Sequence, residues 1–175
     1  WLPEEGVWEC FWPACIVRRS CLDRCVQKGD FCELLDDMKT FHLDRELTIA
    51  RPIHEVFAFF GNPQNLEAIT PPWLRFRVRE ASDHPLREGS QIRYFLKVHG
   101  CPMGWTSLIS TWTPPHCFVD EQVSGPYRIW HHTHTFGQVD GGTRIRDRVE
   151  YAMFGGRLIN ELFVSRDLDR VFDYR

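Results

Sequence analysis

Apolar and polar positions alternate from Phe41 onward. Phe41, Leu43, Leu47 and Ile49 face His42, Asp44, Glu46 and Thr48 across a two-residue period, the pattern of a half-buried strand. Arg45 is the one misfit on the apolar face. Pro52 then stands where a first helical turn tolerates proline, and Ile53, Val56, Phe57 and Phe60 form a helical stripe that ends at Gly61. Asn62-Pro63 opens a second short helix through Leu66 and Ile69, stopped by Pro71-Pro72. Leu74, Phe76 and Val78 alternate with Arg75, Arg77 and Arg79, which predicts another strand.

From Gln91 to Tyr151 the chain reads as strands separated by turn signals at His99–Gly104, Pro114-Pro115, Ser124-Gly125-Pro126 and Asp140-Gly141-Gly142. Ile92, Tyr94, Leu96 and Val98 share a face. Trp105 and Trp112 differ in parity, so both point inward only if the strand carries a bulge before Pro114. In the last strand Ile145, Asp147, Val149 and Tyr151 oppose Arg144, Arg146, Arg148 and Glu150. Gly155-Gly156 breaks the chain, and Leu158, Ile159, Leu162, Phe163, Leu168, Val171 and Phe172 then recur at helical spacing. The order is strand, two short helices, a run of antiparallel strands, one long helix. It predicts an α+β domain in which a curved antiparallel sheet wraps around the C-terminal helix and leaves a hollow the helix cannot fill.

Composition divides the chain at Met38. The first 37 residues carry five of the seven cysteines and four basic against eight acidic residues, without helical or strand period. The expectation is a cysteine-rich leader (1–37) foreign to a domain spanning 38–175, the rival reading being a genuine extension packed on the sheet. Met38 reads as a natural start, and a chain opening on Trp1 reads as a fragment or an altered sequence. Seven cysteines without an export signal argue against a complete disulfide framework, and Cys21 and Cys25 have no second pair to close a zinc site. A net charge of −3 gives no global field to attract nucleic acid, and no apolar run reaches membrane-spanning length. The start of the chain carries neither the basic nor the apolar part of a signal peptide, which favours the cytoplasm.

The chain resembles the SRPBCC (START/Bet v 1-like) superfamily, in its branch of polyketide cyclase/dehydrase and coenzyme-Q-binding START proteins. The resemblance runs from about Phe41 to Arg175. It rests on Ala50-Arg51-Pro52 leading into Val56–Phe60, then Asn65-Leu66, Ile69–Pro72, Trp112–Pro115 and Phe118–Gln122. Gly125-Pro126-Tyr127, Trp130–His134, Gly142-Thr143, Asp147–Tyr151 and Phe172–Arg175 complete it. It implies the helix-grip fold, with about seven strands around the C-terminal helix and a ligand cavity inside, but no particular reaction. Two departures stand out. Relatives carry a proline before the final helix where this chain has Met153-Phe154-Gly155-Gly156, and they continue beyond the position of Arg175, by helix or by a fused or partner domain.

Trp130, His132, His134 and Phe136 share a strand face, and in this topology it is the concave one. The neighbouring strand puts Asp147 on the same face, within reach of His132 or His134. An aspartate that orients an imidazole makes a candidate acid/base pair, or a pair that satisfies each other's hydrogen bonds in a partly polar core. The two-residue step would also let both histidines chelate a metal, with Asp147 or Asp120 as third ligand, but the spacing is common and the expectation is a domain without metal or cofactor. Period alone turns Cys117, Val119 and Val123 inward; the resemblance turns Phe118, Asp120 and Gln122 inward instead. The arginines at 75, 77, 79 and at 144, 146, 148 read as partners of Asp44 and Glu46 on a first strand lying between them, not as a nucleic-acid surface.

The leading expectation is a binding domain for a hydrophobic or aromatic small molecule, a lipid, quinone or polyketide. Its cavity would be walled by Tyr94, Leu96, Trp105, Trp130, Phe136, Tyr151, Leu162 and Phe163, with Asp120 and Gln122. One alternative is a cofactor-free cyclase or dehydratase using His132, His134 and Asp147. Another is a protein-interaction module whose hollow is filled by core aromatics.

Overall fold

In the computed structural model, which describes residues 39–175, seven strands build one antiparallel sheet. They are β1 (Phe41–Ile49), β2 (Arg77–Ala81), β3 (Gln91–Val98), β4 (Cys101–Thr113), β5 (Cys117–Ser124), β6 (Ile129–Val139) and β7 (Gly142–Ala152). Their order is β1-β7-β6-β5-β4-β3-β2. Helix α1 (Ile53–Phe60) and two 3₁₀ turns (Pro63–Glu67 and Pro72–Leu74) connect β1 to β2. The C-terminal helix comprises α2 (Gly156–Ile159), a π-helical stretch (Asn160–Val164) and α3 (Ser165–Tyr174). This is the α+β helix-grip arrangement the strand and helix order predicts. The expectations for residues 1–37 fall outside the described residues.

Alternation sets the inner face of the sheet. Leu43, Ile92, Leu96, Trp105, Ile109, Phe118, Phe136, Ile145, Val149 and Tyr151 are buried. α1 buries its whole predicted stripe of Ile53, Val56, Phe57 and Phe60. The register of β4 against β5 shifts between Ile109 and Thr111, and this bulge carries both Trp105 and Trp112 inward. The β6–β7 turn depends on Gly141, whose φ of 81° few side chains tolerate.

Three expectations change. The second strand starts at Arg77, because Leu74 closes a 3₁₀ turn and Arg75 adopts a left-handed φ of 46°. The turn after β3 shrinks to His99-Gly100, with Val98 already paired to Cys101. β1 and β2 end the strand order at opposite sides, so β1 does not lie between the two arginine stripes. Asp44 does pair with Arg148 at 3.0 Å, and Glu46 with Arg146 at 2.7 Å and Arg144 at 3.3 Å. On the far side Arg77 meets Glu67 at 2.8 Å, and the Arg79 guanidinium lies over Phe95. All these groups are solvated, so each pair contributes little.

The C-terminal helix shows the largest departure. The predicted stripe turns Leu158, Leu162 and Phe163 to the sheet, yet they are 66%, 49% and 45% exposed. Buried instead are Asn160, Val164, Leu168 and Phe172, four apart throughout. A regular α-helix rotates a four-residue series steadily off its face; the wider π turn takes up that drift and resets the phase. Arg45, the misfit of β1, reaches this helix and pairs with Asp169 and Asp173. On the other side His99 Nε2, at the β3–β4 turn, lies 2.7 Å from Asp167 Oδ2. The helix is thus tied to the β1 edge of the sheet on one side and to the β3–β4 turn on the other. Leu168→Ala should lower the unfolding free energy by about 2–5 kcal/mol in urea titration, whereas Leu162→Ala should stay within about 0.5 kcal/mol of the parent.

Candidate functional site

β5, β6 and β7 lie side by side, and their inward rows carry polar residues at one level. Asp120 pairs in register with His132, and His134 with Asp147. The two-residue step from His132 to His134 keeps both rings on the concave face, 3.7 Å apart between centroids. Asp120 Oδ2 lies 3.3 Å from His132 Nδ1 and 3.1 Å from His134 Nε2. Asp147 Oδ1 lies 3.2 Å from His132 Nε2 and 2.7 Å from His134 Nδ1. Each imidazole therefore bridges the two carboxylates. His132 Nε2 with Asp147 and His134 Nε2 with Asp120 are aligned hydrogen bonds, while the buried His134 Nδ1 has no aligned partner despite its closeness to Asp147.

The quartet lies where two apolar clusters meet. His134 stacks on Phe118 at 4.1 Å, within the cluster that α1 fills with Phe57 and Phe60. His132 meets the edge of Phe172 at 5.4 Å, within the cluster formed under the C-terminal helix. A chain of hydrogen bonds leads outward from Asp120. Ser107 Oγ donates to Asp120 Oδ1 at 3.4 Å and accepts from Trp105 Nε1 at 3.1 Å, with the Tyr94 hydroxyl 3.0 Å away. Behind Asp147, Arg175 Nη1 lies 3.7 Å from Oδ2, with its guanidinium over Phe172.

Burial alone would raise both carboxyl groups. For Asp120 the hydrogen bonds and charge of His132 and His134 overcome it; for Asp147 the charge of His134 and the hydrogen bonds of both rings do so. Both stay well below the usual carboxylate range. Burial works against the His132 imidazolium, but hydrogen bonds to Asp120 and Asp147 hold its pKa above the ordinary value. Tyr94 is raised by burial and then by the Asp120 charge, so its hydroxyl keeps its proton.

The expected lining residues separate into three groups. Tyr94, Leu96, Trp105, Trp130 and Tyr151 lie on the concave face beside the quartet, with Trp105 and Trp130 edge-to-face at 5.0 Å. Phe136 instead belongs to the filled core under α1, against Phe57 and Phe60. Leu162 and Phe163 point away, because the π turn rotates them outward. Asp120 and Gln122 face inward, as the resemblance implies; the Gln122 amide holds the backbone of Tyr127, donating to its carbonyl at 2.6 Å and accepting from its N–H at 3.2 Å. The sequence reading missed Ser107, Tyr127, Asn160 and Arg175 as members of the site. Ser107 shares the parity of Trp105 and Ile109, which was the available signal. Asn160, whose Oδ1 accepts from the Tyr151 hydroxyl at 2.9 Å, was hidden by the helical phase shift.

The quartet makes stability depend on pH in two directions. Stabilisation through His132, whose folded pKa is raised, is complete below the unfolded value of about 6.5 and fades as pH rises through the folded one. Stabilisation through the depressed carboxyls is complete above about 4 and fades as pH falls. The melting temperature of the metal-free protein should therefore peak between roughly pH 4.5 and 6.5, and Asp147→Asn should flatten the alkaline limb. A flat alkaline limb in the parent protein would exclude an imidazolium in the native quartet.

No curated protein matches the chain. Solved structures do. Protein Ms6760 from Mycobacterium smegmatis is 20% identical over 79% of this chain and 87% of its own, with a TM-score of 0.58. A norcoclaurine synthase point mutant from Thalictrum flavum, solved with a transition-state analogue, is 13% identical over 79% and 92%, with a TM-score of 0.59. The ginseng major latex-like protein 151 from Panax ginseng is 15% identical over 77% and 94%, with a TM-score of 0.57. At these identities the likeness is one of fold. Residues 49–170 match the family described as polyketide cyclase / dehydrase and lipid transport, and that match covers well over half of the sequence. The chain belongs to this family, within the SRPBCC (START/Bet v 1-like) superfamily.

Proposed function

We propose that the domain binds a hydrophobic or aromatic small molecule, of the lipid, quinone or polyketide kind, between the concave face and the first turns of the C-terminal helix. One observation carries this reading. Tyr94, Met103, Tyr127 and Trp130 lie on or against the concave face yet stay only half buried, because α2 fully buries none of its residues and lays only the half-buried Ile159 against this cluster. The α1 half of the interior is closed by Phe57, Phe60, Trp112, Phe118 and Phe136, which confines the ligand to the other half. Aromatic rings there offer apolar area at low entropic cost, and the Tyr94–Ser107–Asp120 line offers hydrogen bonds to one polar group of the ligand. The family's association with lipid transport and polyketide chemistry agrees with such a ligand. A cytoplasmic location fits the free thiols of Cys101 and Cys117.

Catalysis by the histidines as general bases is less well supported. All four ring nitrogens lie within 3.3 Å of a carboxylate, so none is turned to a substrate proton. A raised His132 pKa further reduces its fraction as a neutral base.

Titration with 1-anilinonaphthalene-8-sulfonate, followed through tryptophan quenching, should show one saturable site that oleate displaces. Trp130→Ala should weaken it by about tenfold, equivalent to ~1.4 kcal/mol, while the exposed Trp73→Ala should leave it unchanged. Non-saturable binding, or equal affinity in both variants with native near-UV spectra, would overturn the assignment.

A further inference from the structure

We propose that Asp120, His132 and His134 form a binding site for a divalent first-row transition ion, with zinc the species the donors fit, and that Asp147 stands behind them as the carboxylate positioning both rings. The inference stands independently of the small-molecule reading.

The donor atoms converge. Asp120, His132 and His134 each offer a ligand atom, and these lie within 4.8 Å of one another. Two nitrogens and a carboxylate oxygen form a donor set of open zinc sites, in which three protein ligands leave a fourth position free. With bonds of about 2.0–2.1 Å, tetrahedral ligand atoms stand about 3.3 Å apart. Asp120 Oδ2 already stands 3.3 Å from His132 Nδ1 and 3.1 Å from His134 Nε2. Imidazole ligands disfavour magnesium and calcium, which prefer oxygen.

The opposite edges of the rings supply a second, independent observation. His132 Nε2 and His134 Nδ1 both face Asp147 Oδ1, at 3.2 and 2.7 Å. For His132 the aligned hydrogen bond runs from Nε2 to Asp147 and leaves the Nδ1 lone pair turned towards Asp120. His134, now bonded through Nε2 to Asp120, would exchange that bond for one from Nδ1 to Asp147 when an ion binds, the arrangement in which an outer carboxylate orients metal-binding histidines. His134 is about nine-tenths buried, yet its Nδ1 has no aligned hydrogen bond, so the rings and carboxylates without an ion do not satisfy one another completely. Charge points the same way. With neutral rings, Arg175 at 3.7 Å faces the Asp147 carboxylate and leaves the Asp120 charge for a cation to offset without protonating either ring. The ligands come from the adjacent strands β5 and β6, a rigid support, and Asp120, 17% exposed at its side chain, marks the side of entry.

The test uses the full chain, with Co²⁺ as an optical probe and Zn²⁺ competed against a chromophoric chelator. One equivalent of Co²⁺ should give the visible d–d bands of a four- or five-coordinate nitrogen and oxygen site, without the near-ultraviolet charge-transfer band of thiolate ligation. Zn²⁺ should displace it, and Mg²⁺ should not. Asp120→Asn and the double variant His132→Gln/His134→Gln should lose Zn²⁺ affinity by a hundredfold or more, on the order expected for a lost ligand. Asp147→Asn should lower it by about 10–100-fold while keeping the cobalt bands, as a positioning carboxylate does. His99→Gln, at an exposed position, and His131→Gln, on the opposite strand face from the quartet, should leave metal binding unchanged. A cobalt spectrum of the hydrated ion in the parent protein would overturn the proposal whatever the variants do. So would Zn²⁺ affinity unchanged in a folded double variant.

Discussion

Two carboxylates on the inner face of a sheet cannot remain charged there alone. Removing Asp120 and Asp147 from water carries a penalty that only close, well-placed donors and positive charge offset, and the two imidazoles of β6, with Arg175 beside Asp147, are positioned to do so. That requirement reaches beyond the site. A slip of β6 by one residue would turn His132 and His134 outward and leave both carboxylates without an imidazole. The registers of β5, β6 and β7 are therefore fixed by electrostatics as well as by packing. The quartet also divides the interior, with the phenylalanines of α1 on one side and Tyr127, Trp130 and Tyr151 under the C-terminal helix on the other.

Much of this was legible because strand parity is a strict code. Asp147 lies between Ile145 and Val149 and must share their face; His132 and His134 must share the face of Trp130. Their meeting across the β6–β7 hairpin follows from those parities and one short turn. β5 was harder. Val119 and Phe118 are both buried despite opposite parity, so period alone could not say which way Asp120 points, and only the resemblance turned it correctly. The bulge in β4 was inferable from two tryptophans of mismatched parity, but Ser107 passed unnoticed because a lone serine among apolar residues carries little pattern.

The C-terminal helix failed for a different reason. Helical periodicity presumes one uniform twist, and a single π turn breaks that presumption without a mark in composition. Leu162 and Phe163 fit an ideal stripe better than Asn160 and Val164 do, yet the latter face the sheet. The order of the outermost strands was also beyond reach, since alternating charge on β1, β2 and β7 fits several arrangements.

The π-helical stretch has a consequence for how this molecule can change. It stores one residue more than an α-helix needs, so losing any single residue between 160 and 164 would leave a continuous α-helix. The segment before it would keep nearly the same face towards the sheet, because the wide turn alone holds the extra residue. The helix can therefore gain or lose one codon at this point while Leu168 and Phe172 stay docked, which makes the π turn the place where its length is free to drift.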